Sequence, residues 1–171
     1  QIKAGWKINY DDIVSLYPSV MWFKDMPCGH PTITNDHTGS PDELAAIIDK
    51  SFGFAKVDVT PPRNLLYPVL PGKDAEGKLN FTLEKQSGTW TIIELQKALE
   101  RGYKITKIHE IHQYEQRNDL FREFIGKFFK GKQESSWRGK PEELPTFLAK
   151  QKELYGLDLD PKMCFYNAGR R

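Results

Sequence analysis

The chain has 171 residues, the size of one ordinary domain, and if compact it takes roughly 68–70% of its unfolded surface out of water. Twenty-five Lys and Arg against 23 Asp and Glu leave a net charge of +2, which excludes a polycation or an acidic tail but not a local basic patch. With 39% hydrophobic and 12% aromatic residues the chain is expected to fold, and since no apolar run approaches the ~20 residues of a membrane span, no membrane partner is expected.

Residues 5–13, with Trp6, Ile8 and Tyr10 alternating with Lys7, Asn9 and Asp11, predict a strand of period two. Residues 15–23 read as a turn entering a helix, with Pro18 in the first turn, where a missing N–H costs nothing. Pro27, Gly29 and Pro31 predict a loop. A second helix opens with a capping box, Ser40 as N-cap and Glu43 three residues on, with Pro41 between them. Its apolar face is Leu44, Ile47, Ile48 and Phe52. Short strands are expected over 54–59, 65–70 and 79–83. Thr91 opens a helix that stops at Gly102, a left-handed terminator.

Residues 103–114 have strand composition, yet Ile105, Ile108 and Ile111 recur at every third position, so the segment reads as a strand with a bulge. Asn118 is expected to cap a helix whose pairs Leu120/Phe121, Phe124/Ile125 and Phe128/Phe129 bury one stripe as core. Residues 132–141 read as polar turns and 142–155 as a helix stopped at Gly156, with Pro161 starting another. Short strands broken by helices, without regular βαβ alternation, make the fold class α+β.

The chemistry is concentrated in Tyr10-Asp11-Asp12-Ile13-Val14-Ser15-Leu16-Tyr17-Pro18-Ser19. Taken residue by residue, it is a carboxylate followed by a tight turn and a helix N-terminus. Free backbone N–H groups at a helix start attract anions, and a nearby carboxylate suits Mg²⁺, which takes one or two carboxylates plus substrate phosphates. On a strand Asp11 and Asp12 point to opposite faces, so at most one serves; alternation does not say which.

This string resembles motif A of the family B DNA polymerases, D-x-x-S-L-Y-P-S, matched at every fixed position from Asp12 to Ser19, with Tyr10 as the Tyr of the Y-x-D lead-in. Further stretches look like the protein-primed branch of that family: Pro27-Cys28-Gly29-His30-Pro31, Gly53-Phe54-Ala55-Lys56-Val57-Asp58-Val59, residues 94–103, and Leu120-Phe121-Arg122-Glu123-Phe124-Ile125 with Lys127, Lys130 and Lys132 behind it. The resemblance implies a partial polymerase palm with a small antiparallel sheet and several packed helices. It implies a motif A palm segment in 1–60, palm strands and an insertion resembling the terminal-protein region in 61–140, and a helical lead-in to the fingers motif in 141–171.

It also implies roles. Asp12 would be the catalytic carboxylate binding both Mg²⁺ ions, and the backbone carbonyl of Ile13 would bind one of them. Ser15, Leu16 and Tyr17 would hold the triphosphate of a dNTP, with the Tyr17 ring rejecting a 2′-hydroxyl. The partners implied are template and primer DNA, a priming terminal protein and the remainder of the polymerase chain. The family's Y-x-D-T-D and K-x-x-x-N-S-x-Y-G motifs are not found, nor is its exonuclease D-x-E upstream of motif A; Asn167-Ala168-Gly169-Arg170-Arg171 looks like the lead-in to the second of these. The isolated chain is therefore expected to be inactive.

Residues 122–140 hold six basic side chains, Arg122, Lys127, Lys130, Lys132, Arg138 and Lys140, against Glu123 and Glu134. Beside motif A they suggest contact with a phosphate backbone, with Trp137 free to stack on a base or a partner. The rival reading is a non-catalytic module that binds nucleic acid or a priming protein, in which this segment matters and Asp12 does not. A zinc site from His109, His112, Cys28, His30 and Cys164 is disfavoured, because no C-x-x-C or H-E-x-x-H spacing occurs. Two cysteines make no disulfide scaffold, which fits a reducing compartment. The start at Gln1 shows no signal peptide and suggests a piece of something longer.

Overall fold

The computed structural model describes residues 5–7, 9–13 and 15–168, with side chains as far as Cys164. Ile8 of the expected first strand, Val14 of the motif and Gly169-Arg170-Arg171 lie outside the described residues. The architecture is α+β, with a four-stranded sheet, a two-stranded ribbon and several helices. The chain divides into two compact units, Pro27–Arg117 and, from the two ends of the sequence, Gln1–Met26 with Asn118–Arg171.

The sheet unit has strand order β1-β6-β2-β5, made by Met26–His37 (β1), Lys104–Arg117 (β6), Gly53–Thr60 (β2) and Gln86–Thr91 (β5). Gly72–Lys73 (β3) and Leu79–Asn80 (β4) form a separate ribbon. β2 pairs antiparallel with both β5 and β6. Two register shifts, between Lys56 and Val57 and between Asp58 and Val59, each place one extra β6 residue against β2.

These bulges explain the isoleucine spacing. An unbulged strand would point Ile108 away from Ile105 and Ile111, whereas one added residue in each interval returns all three to one face. There they oppose Val59, Val57 and Ala55, and all six are buried. Pro41–Asp49 (α2) and Ile92–Glu100 (α3) supply Leu44, Ile48, Ile92, Leu95 and Ala98 to the same core. Both helices start in complete capping boxes, Ser40 with Glu43 and Thr91 with Glu94, and Gly102 at φ 86° follows the end of α3.

Several expectations are corrected. The Pro27–Pro31 stretch is not a loop but the start of β1; as the sheet's edge strand it has a neighbour on one side only, so prolines without N–H groups are tolerated. Residues 65–70 form no strand, although Leu70 is a fully buried anchor, and the strand expected over 79–83 shortens to β4. β5 lies in a stretch for which the sequence suggested no strand.

In the helical unit Leu16–Phe23 is α1, Arg122–Ser136 is α4, Leu144–Tyr155 is α5 and Pro161–Ala168 is α6. A 3₁₀ turn at Pro141–Glu143 leads into α5, and Gly156 ends it at φ 66°. α4 packs against α1 and α6. The expected strand over 5–13 is not formed among its described residues, and Tyr10 is 95% exposed. A strand needs a neighbour for its amides and carbonyls, and none of the described strands pairs with this segment.

Asn118 does not cap α4; Phe121 occupies that position, and the helix runs on through 132–136, where turns were expected. The phenylalanine stripe is not core throughout. Ile125 is buried, but Leu120, Phe124 and Phe128 are exposed, Phe128 by 67%. The Phe124 and Phe128 rings lie 4.8 Å apart against each other rather than under another element. Three adjacent apolar pairs span more than one helix face, and α1 and α6 cover only part of it.

Candidate functional site: the turn before α1 and the groove beside it

Asp11, Asp12 and Ile13 are exposed and belong to no helix or strand. The alternation used to separate the two acids therefore does not operate here. Among the described residues the Asp12 carboxylate has no hydrogen-bond or ion-pair partner, and the Ile13 carbonyl accepts no hydrogen bond.

Ser15 follows in a left-handed conformation, φ 56° and ψ 42°, as the N-cap of α1. A non-glycine residue held there costs roughly 1–3 kcal/mol, which surrounding structure must offset. The Ser15 carbonyl accepts from the Ser19 N–H at 2.9 Å and so closes the first helical turn. The N–H groups of Leu16 and Tyr17 belong to the first turn, where no intrahelical acceptor exists, and Pro18 contributes no donor. The Tyr17 ring is 79% exposed.

The Ser15 hydroxyl makes no capping bond to its own helix; instead Lys132 Nζ of α4 donates to Ser15 Oγ at 3.0 Å. Between α1 and α4 runs an open, mostly apolar groove of about 550 Å³, lined among others by Ser15, Ser19, Trp22, Phe129, Lys132 and Tyr155. The structure thus brings together Ser15 and Lys132, which the sequence assigned to different tasks. Trp22, Phe129 and Tyr155 were not anticipated, since nothing local marks them as neighbours.

The other basic residues are partly engaged. Lys127 sits 2.8 Å from Glu123, an ion pair that holds the Glu123 carboxyl below its usual range and the Lys127 ammonium above its own. Lys130 lies 3.9 Å from Glu134, and the Arg122 guanidinium donates to the Asn118 carbonyl at 3.4 Å. Arg138 donates to the carbonyls of Ser135 and Trp137 at 2.7 and 2.6 Å, and Lys140 is exposed. Trp137 is corrected: it is 8% exposed, packed on Phe147 with centroids 4.6 Å apart and clustered with Leu144 and Cys164, so it fills a small core and offers no stacking face.

A scan against protein families finds that residues 3–146 match the model described as DNA polymerase type B, organellar and viral. The chain belongs to this family. Type B polymerases are thus the frame for the turn at Asp12 and Ser15. A probable DNA polymerase from Neurospora intermedia is similar to the chain, 29% identical over an alignment of 162 residues that covers 89% of this chain and 16% of that protein. The chain therefore spans about a sixth of that relative's length. No solved structure matches.

For the metal that a type B polymerase implies, the donor chemistry at Asp12 fits. A hard, solvent-facing carboxylate without a partner among the described residues, next to a carbonyl unengaged by them, suits Mg²⁺. The described residues contain no group of three or more His, Cys, Asp or Glu able to hold a metal, so Asp12 would supply one ligand and not a complete cage. His109 and His112 are each joined to a carboxylate, Asp58 and Glu110, and burial pushes the Cys164 thiol pKa up.

Proposed function

We propose that the chain is the motif A portion of a protein-primed type B DNA polymerase, which adds deoxynucleotides to a primer by phosphoryl transfer. In this reading residues 1–60 carry the motif A palm segment, 61–140 the palm strands and insertion, and 141–171 the lead-in to the fingers. The supporting observation is the turn itself: a carboxylate at Asp12 with no partner among the described residues, then a left-handed Ser15 whose hydroxyl accepts from the ammonium of Lys132 at 3.0 Å.

Asp12 and the Ile13 carbonyl would hold Mg²⁺. When bound, Mg²⁺ neutralises charge on the triphosphate and lowers the pKa of the primer 3′-hydroxyl. The Leu16 and Tyr17 amides and the Ser15 hydroxyl donate to phosphate oxygens. The Lys132 ammonium, free to leave Ser15 for a stronger acceptor, adds a point charge to the same group. The Tyr17 ring, exposed at the start of α1, would exclude a 2′-hydroxyl. The remaining cations of 122–140, Arg122, Lys127, Lys130, Arg138 and Lys140, would contact the phosphate backbone of template and primer, and a terminal protein would prime. Further carboxylate and lysine ligands come from the rest of the polymerase, so the chain alone does not polymerise.

The test is incorporation by the complete polymerase. Asp12→Asn abolishes dNTP addition and leaves DNA affinity nearly unchanged, whereas Asp11→Asn is much milder. Equal losses from the two would overturn the assignment.

A further inference from the structure

We propose that Gly126 is a positioning residue: by having no side chain it lets α4 approach α1 closely enough to bring Lys132 to Ser15. A glycine in a helix interior costs roughly 0.5–1 kcal/mol relative to alanine, so its presence in α4 calls for a reason. The reason lies on α1. A Cβ at residue 126 would stand 3.3 Å from Cζ3 of Trp22, tighter than most contacts of this kind, and 3.6 Å from Cη2, an ordinary contact distance. Gly131, on the same helix, has nothing within 4 Å of the corresponding point.

The two contacts between these helices have matched spacing. Trp22 meets Gly126, and Ser15 meets Lys132, seven residues back on α1 and six forward on α4. At 1.5 Å per residue those steps are about 10 and 9 Å, so the helices run antiparallel and one contact fixes the height of the other. A side chain at 126 pushes against the rigid indole and tilts or lifts α4, carrying Lys132 from the turn.

The importance for catalysis rests on the reading of residues 15–17 as the triphosphate turn, but the positioning itself is testable without it. In the 171-residue chain, Ser15→Cys is treated with a short thiol-to-amine cross-linker. The product joining the thiol at position 15 to Lys132 is quantified by peptide mapping, which separates it from products at Cys28. Gly126→Leu should lower the yield about fivefold, the population change held by one net hydrogen bond. Gly126→Ala should give a smaller drop, and Gly131→Leu none. Adding Trp22→Ala to Gly126→Leu should restore the yield, a rescue that general loss of stability would not give.

Circular dichroism checks folding; should Gly126→Leu not fold, Gly126→Ala alone and with Trp22→Ala carries the comparison. Yields unchanged by the 126 substitutions, or lowered equally by Gly131→Leu, would overturn the proposal. Magnesium tripolyphosphate binding by the complete polymerase, measured by titration calorimetry, is the second arm. A cross-link that obeys the predictions, beside a complete polymerase that binds no tripolyphosphate or binds it equally well with Ser15→Ala, supports the positioning role and removes the phosphate reading of the turn.

Discussion

Replacing Ile108 by alanine tests the bulged register of β6 directly. Ile108 has no exposed surface and lies opposite Val57 in the middle of the sheet's inner face. Truncating a fully buried isoleucine removes its transfer free energy and leaves a cavity, together about 2–5 kcal/mol. Because the neighbours Val57, Ile105 and Ile111 are held in paired strands, the cavity has little scope to collapse, and the upper half of that range is expected. In an unbulged strand Ile108 would face solvent and cost under ~0.5 kcal/mol, while Ile105 and Ile111 would still cost the full amount. Urea unfolding followed by circular dichroism, with the slope unchanged, gives the difference. Comparable losses for Ile105→Ala, Ile108→Ala and Ile111→Ala fit the register; a loss below about 1 kcal/mol for Ile108 alone would refute it.

Two further expectations concern polar groups outside the core. The Asp58 carboxyl is held below the usual aspartate range, first by its hydrogen bond with His109 at 2.9 Å and then by Ser87. A lowered folded pKa contributes stability that is complete above the unfolded pKa, near pH 4, and disappears as pH falls through the folded value. The penalty of Asp58→Asn in unfolding experiments should therefore be full at neutral pH and shrink below about pH 4; a penalty constant down to pH 2 would contradict this. In the helical unit the buried Glu134 carboxylate accepts from the Asp160 N–H at 2.7 Å, just before α6. Glu134→Gln keeps an acceptor oxygen and should be mild, whereas Glu134→Leu orphans the amide at about 1–3 kcal/mol. Amide hydrogen exchange at Asp160 distinguishes them: protection should persist in the first and fall in the second.

What the sequence determined by itself was whatever depends on neighbours a few residues away. The Ser40 capping box, the helix start at Thr91, the glycine stops at 102 and 156 and the motif A string are short-range patterns, and all but the last stand as read. The every-third isoleucines also signalled a bulge, though only pairing with β2 showed that there are two. The family was legible from the same short string. Tertiary structure decided what depends on partners far along the chain. Lys132 reaches Ser15 across 117 residues, and Gly126 makes room for Trp22 with no local trace beyond a glycine inside a helix. Trp137 and the phenylalanine pairs illustrate the same limit. Periodicity says which apolar side chains share a face, but burial requires another element to cover it: Trp137 found Phe147, while Phe124 and Phe128 pack on each other and stay exposed.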